Sequence, residues 1–193
     1  EALASYRFND AASAIYQFVW GTFCDWYLEL AKPLLNSDNE ATKAETRACA
    51  AWVLEQILRL LHPFTPFVTE ELWEKMGYAG NGPLIRTPWP ALGDDLVDGD
   101  AAREMDWTVR LITAIRSVRS EMNIPAGARI PVILQGASAQ SREWLERHWG
   151  LVSRLARTES YSLDGETPKG AVQTLHDEAT ILLPVADVID LGQ

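Results

Sequence analysis

The hydrophobic period of this chain first changes at "NIPAGARIPVIL", residues 123 to 134. Before that stretch apolar residues recur every three to four positions, as one face of a helix requires. After it come short runs that read as strands, with one helical stretch between the first two. Few architectures accommodate both halves. The expected fold is mainly α: a helical bundle over residues 1–128, then a small α/β domain over 129–193.

Within the first part, Ile15, Val19, Thr22, Trp26 and Leu30 form one stripe, and Tyr16, Trp20, Phe23 and Tyr27 a neighbouring one. A helix from Asn9 to about Ala31 is expected, with Asn9 as N-cap, Asp10 in the first turn and Pro33 as the stop. A second helix runs from about Asn39 to Leu61, its apolar residues concentrated late. The stretch "LLHPFTPFVTEELW" then reads as a corner. Pro63 disfavours helical geometry at His62, and Thr65 with Pro66 opens the next helix, which Gly77 closes. Phe64 and Phe67 are expected to pack where the helices meet, and His62 reads as part of that corner rather than as a catalytic group. Residues 77–100, rich in Gly, Pro and Asp, read as a long surface connection pinned by Trp89.

Leu111, Ile115, Val118 and Met122 mark one face of a fourth helix. Arg116, Arg119 and Asn123 lie on a flanking stripe, and between Arg110 and Arg129 the only acid is Glu121. Beyond Gly127, strands are expected at 130–134 and 158–163, a helix at 138–156, and a hairpin from 171–175 and 179–183 joined through "HDE".

The chain has 193 residues, of which 47% are hydrophobic and 23% charged, the balance of a folded, water-soluble protein. Its formal net charge of −10 means that a nucleic-acid partner must meet a local basic surface. Cys24 and Cys49 lack metal-ligand spacing and are expected to be buried thiols in a reducing, cytoplasmic compartment. The chain opens with Glu1, has no leader and no apolar run long enough to span a bilayer, and so reads as a piece of a longer cytosolic protein. There is no phosphate-binding glycine loop, "HExxH", paired cysteine motif or "GxSxG". The segment itself is expected to be noncatalytic, with neither metal nor cofactor.

The runs "YRFNDAASAIYQFVWGTFCDWYLELAKPLL", "LLHPFTPFVTEELW" and "IRSVRSEMNIPAGARIPV" closely resemble, in order and across nearly the whole chain, the C-terminal anticodon-binding region of bacterial valyl-tRNA synthetases. The resemblance implies a class Ia anticodon-binding helical bundle followed by that family's small α/β domain, truncated before its coiled-coil arm. It further implies a parent enzyme that ligates valine to its tRNA using ATP. The implied partners are the anticodon loop of valine tRNA and the catalytic domain of the same chain, with no membrane and no DNA. Isoleucyl-tRNA synthetases share the bundle but commonly carry a cysteine-rich zinc tail, which two isolated cysteines do not match; leucyl enzymes share a weaker corner. A docking module that binds no RNA is the other alternative.

Splayed anticodon bases can stack on aromatics and be hydrogen-bonded on their edges. From helical spacing, the candidates for base contact are Arg7, Asn9, Trp20 and Phe23, and those for backbone phosphates are Arg116, Arg119, Asn123 and, more weakly, Arg129. Trp26 and Tyr27 read as core.

Overall fold

The computed structural model describes residues 1–186 and divides into two compact units, Glu1–Leu96 and Val97–Gln193. The expected division at 128/129 is not where the packing divides. The helix preceding it lies against the sheet of the second unit, because Leu111, Ile112 and Ile115 are almost fully buried there.

The first unit begins with a continuous helical rod: α1 (Phe8–Gln17), a π-helical segment (Phe18–Tyr27) and α2 (Leu28–Leu35). Its backbone stays right-handed at the junctions. The start is at Phe8, so Asn9 is not the N-cap; its Nδ2 donates to Asp10 Oδ1 at 2.9 Å. Pro33 lies inside α2 rather than ending it, and the helix continues to Leu35. Helix α3 (Glu40–Leu61) is capped as its sequence suggests, Asn39 Oδ1 accepting from the N–H groups of Ala41 and Thr42 at 3.0 and 3.1 Å. The phenol of Tyr27, pushed up to about 12 by burial and by Cys49, joins the rod to α3. Cys49 is exposed and Cys24 half-buried, so neither is the buried thiol expected.

Helix α4 (Pro66–Lys75) follows the corner. His62 Nδ1 lies 2.8 Å from the Thr69 hydroxyl, which is also 2.8 Å from the carbonyl oxygen of Thr65. Since that hydroxyl gives its one proton to the carbonyl, Nδ1 is the donor. His62 is thus a structural part of the corner. Trp73 packs with Leu58 and Leu84, and its Nε1 donates to the Gly82 carbonyl at 3.0 Å. Glu70 accepts from the Leu84 N–H at 2.8 Å, so the start of the 77–100 connection is tied to α4. Phe67, expected at the helix junction, is instead 90% exposed, and Trp89 is half-exposed.

The second unit opens with α5 (Gly99–Glu121), capped by Asp98. Then come β1 (Ile130–Gln135), α6 (Ala139–Ala156), β2 (Thr158–Leu163), β3 (Ala171–His176) and β4 (Ala179–Pro184), close to the expected spans. The sheet order is β2-β1-β4-β3, with β1 and β2 parallel across the α6 crossover and the other pairs antiparallel. In β4, Ile181, Leu182 and Leu183 are all buried, so both faces of that strand are covered. On the face bearing Ile133, a Cβ at Gly165 would sit 3.2 Å from Ile133 Cγ2, which leaves little room for a larger residue there.

The β3–β4 hairpin tip is a three-way fastener. His176 is buried against the Trp107 ring of α5, with centroids 4.9 Å apart. Asp177 forms a bidentate pair with Arg110 of α5, its Oδ2 2.9 Å from Nη2. Glu178 accepts from the Ser138 N–H at 2.9 Å and the Ser141 hydroxyl at 2.7 Å at the start of α6; these bonds hold its carboxyl down at about 2.

Burial pushes the His176 imidazole below its ordinary value of 6.5, outweighing the pull of Asp177 and Glu178. Its Nε2 has no hydrogen-bond partner among the described residues. The unfolded chain therefore binds this proton more readily than the folded one, and stability falls as pH drops below about 6.5. Thermal unfolding between pH 7.5 and 5.5, values that bracket this range, should show that decline in the wild type and a shallower one in His176→Phe. Equal slopes would remove His176 as the cause.

Candidate nucleic-acid interface

The first unit presents aromatic side chains on its leading rod. Tyr6 and Phe8 meet edge to face at 6.2 Å, and Tyr16 and Trp20 lie 6.3 Å apart, all four exposed. Phe8, Tyr16 and Trp20 recur at multiples of four and so wind along one side of the helix. Trp20 is 55% exposed and sits on the π segment. π geometry is uncommon and is often found at functional sites. At the same end, Arg7 pairs with Asp10 at 3.0 Å, and Asn9 bonds the same carboxylate. Both partners of that ion pair are exposed, so the pair is weak and can be exchanged for another anion.

Phe23 does not belong to this exposed set. It is only 7% exposed and stacks on Tyr27 at 5.5 Å with an interplanar angle of 15°. Residues 16, 20, 23 and 27 share a side only at α-helical pitch. The wider π turn changes the angle between successive residues, and Phe23 enters the core while Trp20 remains outside.

In the second unit, Arg116, Arg119 and Arg157 line an open cleft of about 240 Å³ together with Ser120, Ile124, Ala126, Leu155 and Ala156. No carboxylate is among those lining residues. Arg116 Nε donates to the Leu155 carbonyl at 2.9 Å. Arg119 is 8% exposed, and its guanidinium donates to the carbonyls of Ala128, Pro125 and Arg157 at 2.8, 3.1 and 3.4 Å. It joins the turn after α5 to the end of α6, which makes it a positioning residue rather than a direct phosphate ligand. Burial and the neighbouring Arg157 charge lower its affinity for its proton.

Asn123 has a structural role as well. It adopts φ +50° at the end of α5, where Ile124 N–H donates to the Arg119 carbonyl at 2.9 Å and Asn123 N–H to that of Ser120 at 3.1 Å. This pairing is a Schellman cap, in which Asn is the usual substitute for Gly. Its side chain remains exposed. Arg129 is exposed too, with Nη1 3.3 Å from the Thr158 carbonyl. Arg110, expected to border a basic island, is instead neutralised by Asp106 and Asp177. Arg157 was missed by helical spacing because it follows α6, far along the chain from the other cleft arginines.

Among the described residues, no group of three or more His, Cys, Asp or Glu is placed to hold a metal ion. The arrangement is suited to binding planar bases and anions.

Phe23→Ala should cost about 3–5 kcal/mol of unfolding free energy as a core truncation. Arg119→Met should cost about 1–3 kcal/mol through carbonyls left unpaired. Trp20→Ala should change stability by no more than about 0.5 kcal/mol. Denaturant unfolding of the three variants measures this, and wild-type stability in Phe23→Ala or Arg119→Met would return that residue to the surface set.

The family model described as the anticodon-binding domain of tRNA ligase matches residues 1–134. Relatives named valine–tRNA ligase include that of Rhizobium meliloti (strain 1021), 49% identical over 100% of this chain and 20% of the relative. Those of Brucella suis biovar 1 and Caulobacter vibrioides are 49% and 47% identical over 99% and 100% of this chain and 21% and 22% of their own lengths. The chain spans about a fifth of the length of these relatives. With a match that runs through both the aromatic rod and the arginine-bearing helix α5, this chain belongs to the anticodon-binding domain family of tRNA ligases.

Proposed function

We propose that this chain is the anticodon-reading part of a cytoplasmic valine–tRNA ligase, a longer enzyme that joins valine to its tRNA at the expense of ATP. The observation that carries the reading is the family match over residues 1–134, taken with near 50% identity to valine–tRNA ligases along the whole chain.

In this reading the exposed rings of Trp20, Tyr16, Phe8 and Tyr6 stack on splayed bases of the anticodon loop, which every base face permits. Arg7 and Asn9, at the start of the same rod, supply hydrogen-bond donors to base edges. In the second unit Arg116, Asn123 and Arg129 face the RNA backbone. ATP and valine would be handled by parts of the ligase beyond this segment.

A second surface favours a further contact. Val68, Leu72 and Met76 recur every four residues on α4 and are 54%, 41% and 43% exposed, beside the almost fully exposed Phe67. An apolar stripe of this kind suits docking against another domain. Its proposed partner is the catalytic domain of the same chain, and this contact is compatible with RNA binding on the rod.

The test is binding of this chain at low, fixed salt to valine tRNA and to the same tRNA with its central anticodon base changed. The unaltered tRNA should bind more tightly, and Trp20→Ala should weaken it by about 1–3 kcal/mol. Equal affinity for both tRNAs would contradict the anticodon reading.

A further inference from the structure

The arginine cleft of the second unit has features that general RNA attraction does not require. Its lining guanidiniums are oriented by backbone carbonyls, Arg116 on Leu155, Arg119 on Pro125 and Ala128, and Arg157 on Ala126. Arg119 and Arg157 are held near one another although their like charges repel. Arg157 also occupies the left-handed region at the end of α6, with φ +55° and ψ +52°. Gly or Asn would hold that position more easily, so the backbone carries a small strain that places this side chain at the cleft. A cluster of cations in enforced proximity, rimmed by the Ser120 hydroxyl, is complementary to an oxyanion with several acceptor oxygens.

We infer that this cleft is a discrete site for a single phosphate group, supplied by the RNA backbone, with Arg116 and Arg157 as its direct ligands. Arg119, behind them, holds the turn at Pro125–Ala128 and the end of α6 in place. The inference rests on the anticodon-binding reading for the source of the phosphate, but the site itself follows from the geometry. It adds Arg157, which helical spacing did not indicate, and moves Arg119 from ligand to support.

The test uses Arg157→Asn, which removes the charge while keeping a residue that tolerates left-handed backbone, and Arg157→Lys, which keeps the charge. Binding of valine tRNA is measured over a series of salt concentrations. Arg157→Asn should weaken binding several-fold and reduce the slope of log K against log salt by about 0.7–0.9, the loss of one phosphate contact. Arg157→Lys should keep most of the slope, and Arg103→Gln, outside the cleft, should keep all of it. An unchanged slope in Arg157→Asn would overturn the site. In parallel, inorganic phosphate is titrated against the chain while the arginine Nε–H resonances are followed by NMR. Saturable shifts at Arg116 and Arg157 are expected, and their absence would overturn the anion site even if tRNA binds. Shifts with phosphate but no binding of any tRNA would overturn the RNA source and, separately, the anticodon-binding reading.

Discussion

The second unit depends on the three residues at the tip of its β3–β4 hairpin. His176 inserts beside Trp107, Asp177 grips Arg110, and Glu178 completes the start of α6. One turn thereby holds both helices against the sheet that β1 and β4 form at its centre. The arginine cleft lies farther along the same helices, where the end of α5 meets the end of α6. Its spacing is inherited from that fastener and from Arg119, whose donors join the two helix ends through carbonyls. Rigid support of this kind is what a site for an anion needs, because guanidiniums free to move would separate under their own repulsion.

The first unit follows a different logic. Its compact core lies at the α3–α4 corner, where Trp73, Leu58 and Leu84 pack, His62 bonds the Thr69 hydroxyl and Glu70 accepts from the Leu84 N–H. Its leading rod, by contrast, keeps Phe8, Tyr16 and Trp20 in solvent, with Tyr6 exposed in the turn before it. Rings held outside on a helix lose little conformational freedom when a base stacks on them, since the backbone is already ordered. The acidic total charge does not oppose this arrangement, because the rod's interaction with bases is through ring faces and the Arg7–Asp10 pair beside them is exposed.

Much of the fold was legible in the sequence. Pro66 at the first position of α4 and Gly77 in the left-handed region beyond it stand where the sequence placed them, whereas His62 keeps helical geometry (φ −52°, ψ −41°) despite Pro63 and Thr65 makes no side-chain cap bond. The change of period beyond Pro125 located every strand to within a residue. The candidate site was legible only in part. Of the two ring candidates on one expected stripe, Trp20 is exposed and Phe23 is buried, because the period of 3.6 assumed for the rod fails across its π segment. Arg119 and Asn123 stood on the expected stripe, yet local backbone geometry gives each a structural task that no side-chain pattern encodes. Arg157 could be recognised only once the chain had folded, since it joins Arg116 across a crossover. The grouping of α5 with the sheet was hidden for the same reason: amphipathicity shows that a helix has a buried face, not what covers it.

The most direct test of the account is an NMR footprint of this chain, labelled with nitrogen-15, on an RNA hairpin carrying the anticodon loop of valine tRNA. The account predicts that perturbations concentrate at the Trp20 indole and at the Arg116 and Arg157 guanidiniums, while the Phe67 amide and the His62 ring stay unchanged. Perturbations confined to the α4 face, with the Trp20 indole and both guanidiniums unmoved, would contradict it.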